Sequence, residues 1–370
     1  MKTEIPAPRV LVELSPAVDV AEWARRHACG EVPDRVPYGL NRMADYGMVV
    51  LPRSRPRSGP VVRGFQVSSK LTGGKRWLET MVGVPSPSAA DVRLFWDEHC
   101  SVPALLTGGH GSGRRPIVTG VIWATEPDAD RSSLMWKASR AALRRADAIY
   151  VNSSAQVPVL CQEWGMPNSR VHFVPFGIDT DFWDPAAPAG DEVPGPGPAR
   201  LVLSVGNDRY RDHQLLVAAM RIVHAKLPEV RLDLVTRAPQ QIPPEVGAWH
   251  QSATHPELRD LYRKAEVVAI CTRPNVGISG LTAALESMAM ARAVVATRTP
   301  GMEDYIVDGE TGLLVPSQDP DAVARALIEL LTDPDRCHGM GAAARQRVFS
   351  AGFSTQEMSK SLASVIRSAI

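Results

Sequence analysis

From Leu201 onward, short apolar runs and amphipathic stretches alternate in a way that leaves few folds open. Leu201-Val-Leu-Ser-Val205 reads as a strand and is followed by a polar loop, Gly206 to Asp212. Leu215, Leu216, Ala219, Ile222 and Val223 then recur at three- and four-residue spacings, the period of a helix with one buried face. The pattern continues with strand Val230–Val235, helix Pro256–Lys264, strand Val267–Cys271, helix Leu281–Ala291 and strand Ala293–Ala296. Strands separated by helices imply βαβ units and a mostly parallel sheet. The strands are continuously apolar rather than alternating, as a sheet covered by helices on both faces requires.

The first half follows the same grammar less clearly. Val10–Leu14, Gly47–Leu51, Pro103–Thr107, Ile117–Ala124 and Ala148–Asn152 read as strands; Val20–His27, Ala89–His99 and Leu134–Arg145 read as helices. Residues 184–199 are dense in Pro and Gly and carry no periodicity, the mark of a linker. A chain of 370 residues has room for two domains. The prediction is an α/β protein of two Rossmann-like, doubly wound domains facing a central cleft. An N-terminal domain covers 1–180, a linker 181–200 and a second domain 201–350. A C-terminal helix over 351–370 presents Met358, Leu362, Val365 and Ile366 on one face, suited to packing back on the N-terminal domain.

Composition removes several function classes. Forty-one basic against 40 acidic residues give a net charge of +1, without the cationic surplus that duplex nucleic acid demands. No apolar run approaches the roughly 18 to 20 residues that span a bilayer, so stable membrane insertion is not expected. Met1-Lys-Thr-Glu4 leads directly into a strand-like run without a signal-peptide pattern. The five cysteines (Cys29, Cys100, Cys161, Cys271, Cys337) are far apart and form no C-x-x-C pair. That pattern fits a reducing cytoplasm better than disulfides or a zinc site.

The stretch richest in chemistry is Asn275-Val-Gly-Ile-Ser-Gly-Leu-Thr-Ala-Ala-Leu-Glu286, a glycine-rich loop entering a helix. A helix start offers unpaired N–H donors and the positive dipole end, a natural anion site. The handover at Ser279-Gly280 predicts free amides near Leu281 and Thr282; Gly280 admits a phosphate closely and the Thr282 hydroxyl adds a donor. Glu286 lies four residues after Thr282, on the same helix face. A carboxylate there can accept from two vicinal hydroxyls, as a ribose presents them. The bland alternative makes Ser279 an N-cap and Glu286 a solvated surface acid.

Glu286 to Thr297, Pro300 to Pro316, and Val174-Pro-Phe-Gly-Ile-Asp-Thr-Asp-Phe-Trp183 resemble family 4 glycosyltransferases of the GT-B fold; the likeness spans most of residues 150 to 350. The resemblance implies a retaining, metal-independent enzyme that moves a sugar from a nucleotide-diphosphate donor, UDP- or GDP-linked, to a small-molecule or glycan acceptor, without a cofactor. It also implies that the loop entering the helix binds the diphosphate and that Glu286 holds the ribose. The family's usual second glutamate, eight residues earlier, is Ile278 here. Some relatives carry a Ser-Gly-x-Thr loop in its place, and this chain matches that variant. In Gly206-Asn-Asp-Arg-Tyr-Arg211, Arg211 occupies the family's lysine place before the helix and Asn207 stands where an arginine is usual. Arg211 and Arg209 are the candidate cations, with Gly206 and Asn207 completing the donor loop. Arginine grips phosphate oxygens bidentately, so the exchange for lysine is chemically sound.

Asp128-Ala-Asp130 and Asp179-Thr-Asp181 repeat the D-x-D pattern of metal-dependent transferases, but neither follows a strand of a nucleotide-binding unit, so no metal site is expected. His110, in a glycine-rich loop, and Glu126 are the catalytic candidates beside Arg211, both on the acceptor side. Trp77, Trp96 and Trp123 offer faces for a sugar or serve the core. Two other readings remain open at this point. One is a GT-B protein that binds nucleotide sugar without transferring it, to which Ile278 points. The other is a membrane-surface transferase on lipid-linked sugars, suggested by Lys70 to Met81.

Overall fold

The computed structural model describes residues 6–15, 18–53, 90–107, 115–126, 131–188 and 200–370. The chain divides into two compact units, one of Met1–Gly30, Asp34–Pro175 and Thr355–Ile370, the other of Glu31–Pro33 and Phe176–Ser354.

The first unit holds β1 (Arg9–Glu13), β2 (Val49–Arg53), β3 (Val92–Phe95), β4 (Ile117–Gly120), β5 (Ala148–Val151) and β6 (Val171–Phe173). They form a parallel sheet in the order β2-β1-β3-β4-β5-β6, with α1 (Val20–Ala28), α2 (Glu98–Thr107) and α3 (Leu134–Leu143) among its helices. Two expectations fail here. Ala89–His99 is not a helix, because its centre is β3, buried along its length. Arg93 interrupts the apolar run in the sequence, yet in the fold its guanidinium is buried and paired with Glu13 of β1. Pro103–Thr107 is not a strand but the end of α2, where Ala104 and Leu105 are buried. Asp97 starts that helix by accepting the Cys100 N–H at 2.9 Å, and burial offsets the one backbone bond that Pro103 cannot make.

The last helix, α9 (Thr355–Ala369), belongs to this unit. Its face of Met358, Leu362, Val365 and Ile366 is buried, and Ser359 Oγ donates to the Gly39 carbonyl at 2.9 Å. At about 1.5–3 kcal/mol per buried aliphatic side chain, that face is ample anchorage for a helix far along the chain from its partners.

The second unit is more regular. Here β7 (Arg200–Val205), β8 (Val230–Val235), β9 (Gly247–His250), β10 (Val267–Ile270), β11 (Ala293–Thr297) and β12 (Leu313–Val315) lie in the order β12-β11-β10-β7-β8-β9, all parallel. Among its helices are α4 (His213–Lys226), α5 (His255–Lys264), α6 (Leu281–Ala289), α7 (Pro320–Thr332) and α8 (Pro334–Ser350). Leu216, Met220 and Val223 of α4 pack with Leu232, Leu327 and Leu330 in the core. The predicted starts are chemically sharp: Asp212 accepts the Leu215 N–H at 3.0 Å, and Thr254 with Glu257 forms a capping box. The strand order reverses between β7 and β10, and that reversal positions everything that follows.

Candidate functional site

Where the order of a parallel sheet reverses, the loops leaving the two adjacent strands diverge to opposite faces and open a crevice at their carboxyl ends. In the second unit these are the loops after β7 and β10. They are pinned to each other: Asp212 N–H donates to the Cys271 carbonyl at 2.9 Å, and Arg273 N–H to that of Tyr210 at 2.7 Å. Arg211 and Thr272 form an antiparallel bridge between those bonds. The two stretches singled out in the sequence, 206–212 and 275–286, therefore meet in one place.

Arg211 is at the centre and only 6% exposed. Nη2 donates to the Val205 carbonyl, while Nε and Nη1 are buried with no hydrogen-bond partner among the described residues. A buried cation short of acceptors is unfavourable by itself, and burial pulls the Arg211 pKa below the ordinary arginine range, with Asp208 opposing. Two glycines make room for it. A Cβ on Gly206 would sit 2.2 Å from Nε, and one on Gly280, at φ +79°, would sit 2.6 Å from Nη1. In this conformation the Gly280 turn covers the guanidinium, so an anion reaches Nε and Nη1 only if the turn or the side chain shifts.

Gly280 is the N-cap of α6 and gives it no side-chain cap. The Leu281 N–H, expected to be free, instead donates to the Ile278 carbonyl at 3.0 Å and closes the turn. The free amides start one residue later: those of Thr282 and Ala283 have no acceptor among the described residues. Ser279 does not cap the helix, because its Oγ donates to Asp208 Oδ1 at 2.6 Å, an oxygen that also accepts the Tyr210 N–H at 3.0 Å. Asp208 thus ties the α6 turn to the β7 loop.

Glu286 is not a surface acid. It is 8% exposed, and burial pushes its carboxyl up to about 8. The Tyr262 hydroxyl, from fully buried Tyr262 of α5, donates to its Oε2 at 2.9 Å. The remaining loop candidates do other work. Asn207 Oδ1 accepts the Arg237 N–H at 2.6 Å and holds the loop to the end of β8. Arg209 lies on the exposed rim, its guanidinium 4.8 Å from the Tyr210 ring centroid and 3.0 Å from the Tyr210 hydroxyl.

Family models bear on this geometry. Residues 91–182 match the model of Glycosyltransferase Family 4, and residues 199–333 match that of Glycosyl transferases group 1. The alpha-maltose-1-phosphate synthase of Mycolicibacterium smegmatis is 32% identical over 272 residues, 66% of this chain and 68% of that protein. The chain belongs to glycosyltransferase family 4. A D-inositol 3-phosphate glycosyltransferase of Catenulispora acidiphila is 29% identical, over 100% of this chain and 85% of its own. Among solved structures, Anabaena HepE in complex with UDP and glucose superposes with a TM-score of 0.66 at 14% identity, covering 98% of this chain and 99% of its own. The protein is a glycosyltransferase of GT-B fold.

The acceptor-side candidates of this glycosyltransferase fare differently. Glu126 is 1% exposed, just beyond β4. His110, Trp77, Asp128-Ala-Asp130 and Lys70 to Met81 lie outside the described residues. Asp179 is itself buried, its Oδ1 accepting the N–H groups of Asp181 and Phe182 at 3.1 and 3.2 Å, which shapes a turn. Trp96 is 5% exposed and stacked on Tyr38 at 3.7 Å between ring centroids. Among the described residues no helix is long and apolar enough to cross a membrane.

Sequence reasoning missed three groups. Tyr262 reaches Glu286 across 24 residues of chain, which no local spacing signals. His213, in the first turn of α4, is lowered to about 4 by burial and by the Arg211 charge, so it is neutral at pH 7. In the first unit, Glu98 accepts the Ile122 and Trp123 N–H groups at 2.9 and 2.6 Å and is raised by burial. Glu98 is the first residue of α2, three residues after β3, inside a segment that the sequence pattern reads as one helix.

Proposed function

We propose that this enzyme transfers a hexosyl unit from a UDP- or GDP-linked donor with retention and without a metal. The donor diphosphate lies against Arg211 and the amides of Thr282 and Ala283, and Glu286 takes the ribose hydroxyls. The observation that carries this reading is the buried Arg211 guanidinium, two of whose three nitrogens lack acceptors among the described residues. A cation held that way gains most from a ligand that supplies two anionic oxygens, which a diphosphate does.

Charge on the leaving diphosphate grows as the bond to the anomeric carbon breaks. A fixed guanidinium and a helix start stabilise it more in the transition state than in the ground state. The diphosphate leaves with the acceptor hydroxyl's proton, and the acceptor oxygen bonds the anomeric carbon on the face the diphosphate vacates. No second carboxylate or cation is required on this route. The first unit takes the acceptor, a small molecule or glycan, with Glu126 and His110 as its polar candidates. The five cysteines are all free thiols, in keeping with a cytoplasmic enzyme.

Calorimetric titration with UDP- and GDP-sugars, followed by NMR assignment of the product's anomeric configuration, tests the proposal. Binding of one nucleotide series, an α-linked product from an α-linked donor and turnover unaffected by EDTA are expected. Inversion, or loss with EDTA and rescue by manganese, refutes it. Donor binding without transfer to any acceptor would favour the binding-only reading that Ile278 suggests.

A further inference from the structure

Glu286 can hold a ribose only if its carboxylate is held still, with an oxygen turned to the ligand. A glutamate has three rotatable side-chain bonds, and burial alone does not choose among their settings. The Tyr262 hydroxyl donates to Oε2 at 2.9 Å, and its ring is packed inside the unit. Tyr262 is fully buried in α5, with Trp183 edge-on at 5.6 Å between ring centroids. The bond joins two helices, α5 and α6.

We propose that Tyr262 is a positioning residue for the donor's ribose: its hydroxyl fixes one oxygen of Glu286 and leaves the other to accept from the vicinal hydroxyls. The inference rests on the ribose role of Glu286 proposed above. Tyr262 acts through Glu286 and touches no part of the donor. Burial opposes ionisation of Glu286, and the phenol's hydrogen bond favours the ionised form that accepts.

The test is a cycle on the full-length enzyme with two probes, the UDP or GDP that binds and its 2′-deoxyribose analogue, titrated by calorimetry into wild type and Tyr262→Phe. Wild type is expected to prefer the ribonucleotide. Tyr262→Phe should weaken the ribonucleotide about five- to tenfold, near the lower end for a hydrogen bond to a charged group, and the deoxynucleotide less than about twofold. Equal weakening of both would make Tyr262 a structural residue and overturn the inference. A wild type indifferent to the 2′-hydroxyl would instead overturn the role given to Glu286, as would failure of both UDP and GDP to bind. If Tyr262→Phe does not fold, 3-fluorotyrosine at 262 keeps the packing and donates more strongly. It should widen the ribo/deoxy preference, and an unchanged preference overturns the inference equally.

Discussion

Replacing Arg211 by Met should make the protein more stable and the enzyme worse. The side chain keeps its length but loses its charge. In the folded state that charge has one bond, to the Val205 carbonyl, and two nitrogens, Nε and Nη1, without acceptors among the described residues. Removing a buried, under-satisfied cation is neutral to favourable by about 1–4 kcal/mol, and the carbonyl left behind takes back about 1 kcal/mol. The net expectation is a stabilisation of about 1 kcal/mol, or about 2–4 °C in Tm for a unit of this size. Donor binding moves the other way. Two charge-assisted bonds to phosphate oxygens, at about 1.5–3 kcal/mol each, put the loss at about 3–6 kcal/mol, or about a hundredfold and upward in Kd. Differential scanning calorimetry without nucleotide and titration with the donor read the two quantities on one sample. Because the Gly280 turn covers Arg211, donor binding should also change hydrogen exchange of the 278–283 amides in wild type. A lower Tm with unchanged affinity would show that Arg211 is a structural cation and that the diphosphate is held elsewhere.

Other perturbations separate backbone from charge. Gly280→Ala forces φ +79° on a residue with a Cβ and places that carbon 2.5 Å from Ile270 Cγ2 and 2.6 Å from Arg211 Nη1. It should cost about 1–3 kcal/mol by chemical denaturation and weaken donor binding, whereas Gly309→Ala, with open space around it, should leave binding unchanged. Glu286 gives a pH signature: its carboxyl is raised to about 8 and accepts from hydroxyls most strongly when ionised, so binding expels a proton below that pH. Nucleotide-sugar affinity should fall as pH drops from about 8 towards 6, by at most about tenfold per unit, and Glu286→Gln should flatten the profile. The same raised carboxyl contributes stability that is complete below its unfolded pKa near 4.3 and is lost as pH rises through about 8. Glu98→Ala leaves the Ile122 and Trp123 amides unbonded and should destabilise by about 2–4 kcal/mol in thermal unfolding, with donor affinity intact.

The second unit was legible in the sequence because each local cue agrees with the tertiary one. Its strands are apolar throughout, and its helix starts at Asp212 and Thr254 carry their own caps. The first unit was harder because two segments hide their character. In β3 an arginine is buried against Glu13, a partner 80 residues away, and in α2 a proline sits inside the helix. Pattern reading assigns a charge to solvent and a proline to a break, and here distant partners override both. The site divides the same way. Arg211, Gly280 and Glu286 could be named from residue type and spacing, because a cation, a left-handed turn and a helix-face acid declare themselves locally. What joins them could not be named: Asp208 holding Ser279 spans 71 residues and Tyr262 holding Glu286 spans 24. A sequence records the groups a ligand would touch more plainly than those that keep them in place, since contact with a ligand demands particular chemistry and support demands only reach. The strength of the candidate site therefore rests on the supports. Had Arg211 and the Gly280 turn fallen on opposite ends of the sheet, the same motif would have meant nothing; the β7–β10 reversal is what makes them neighbours.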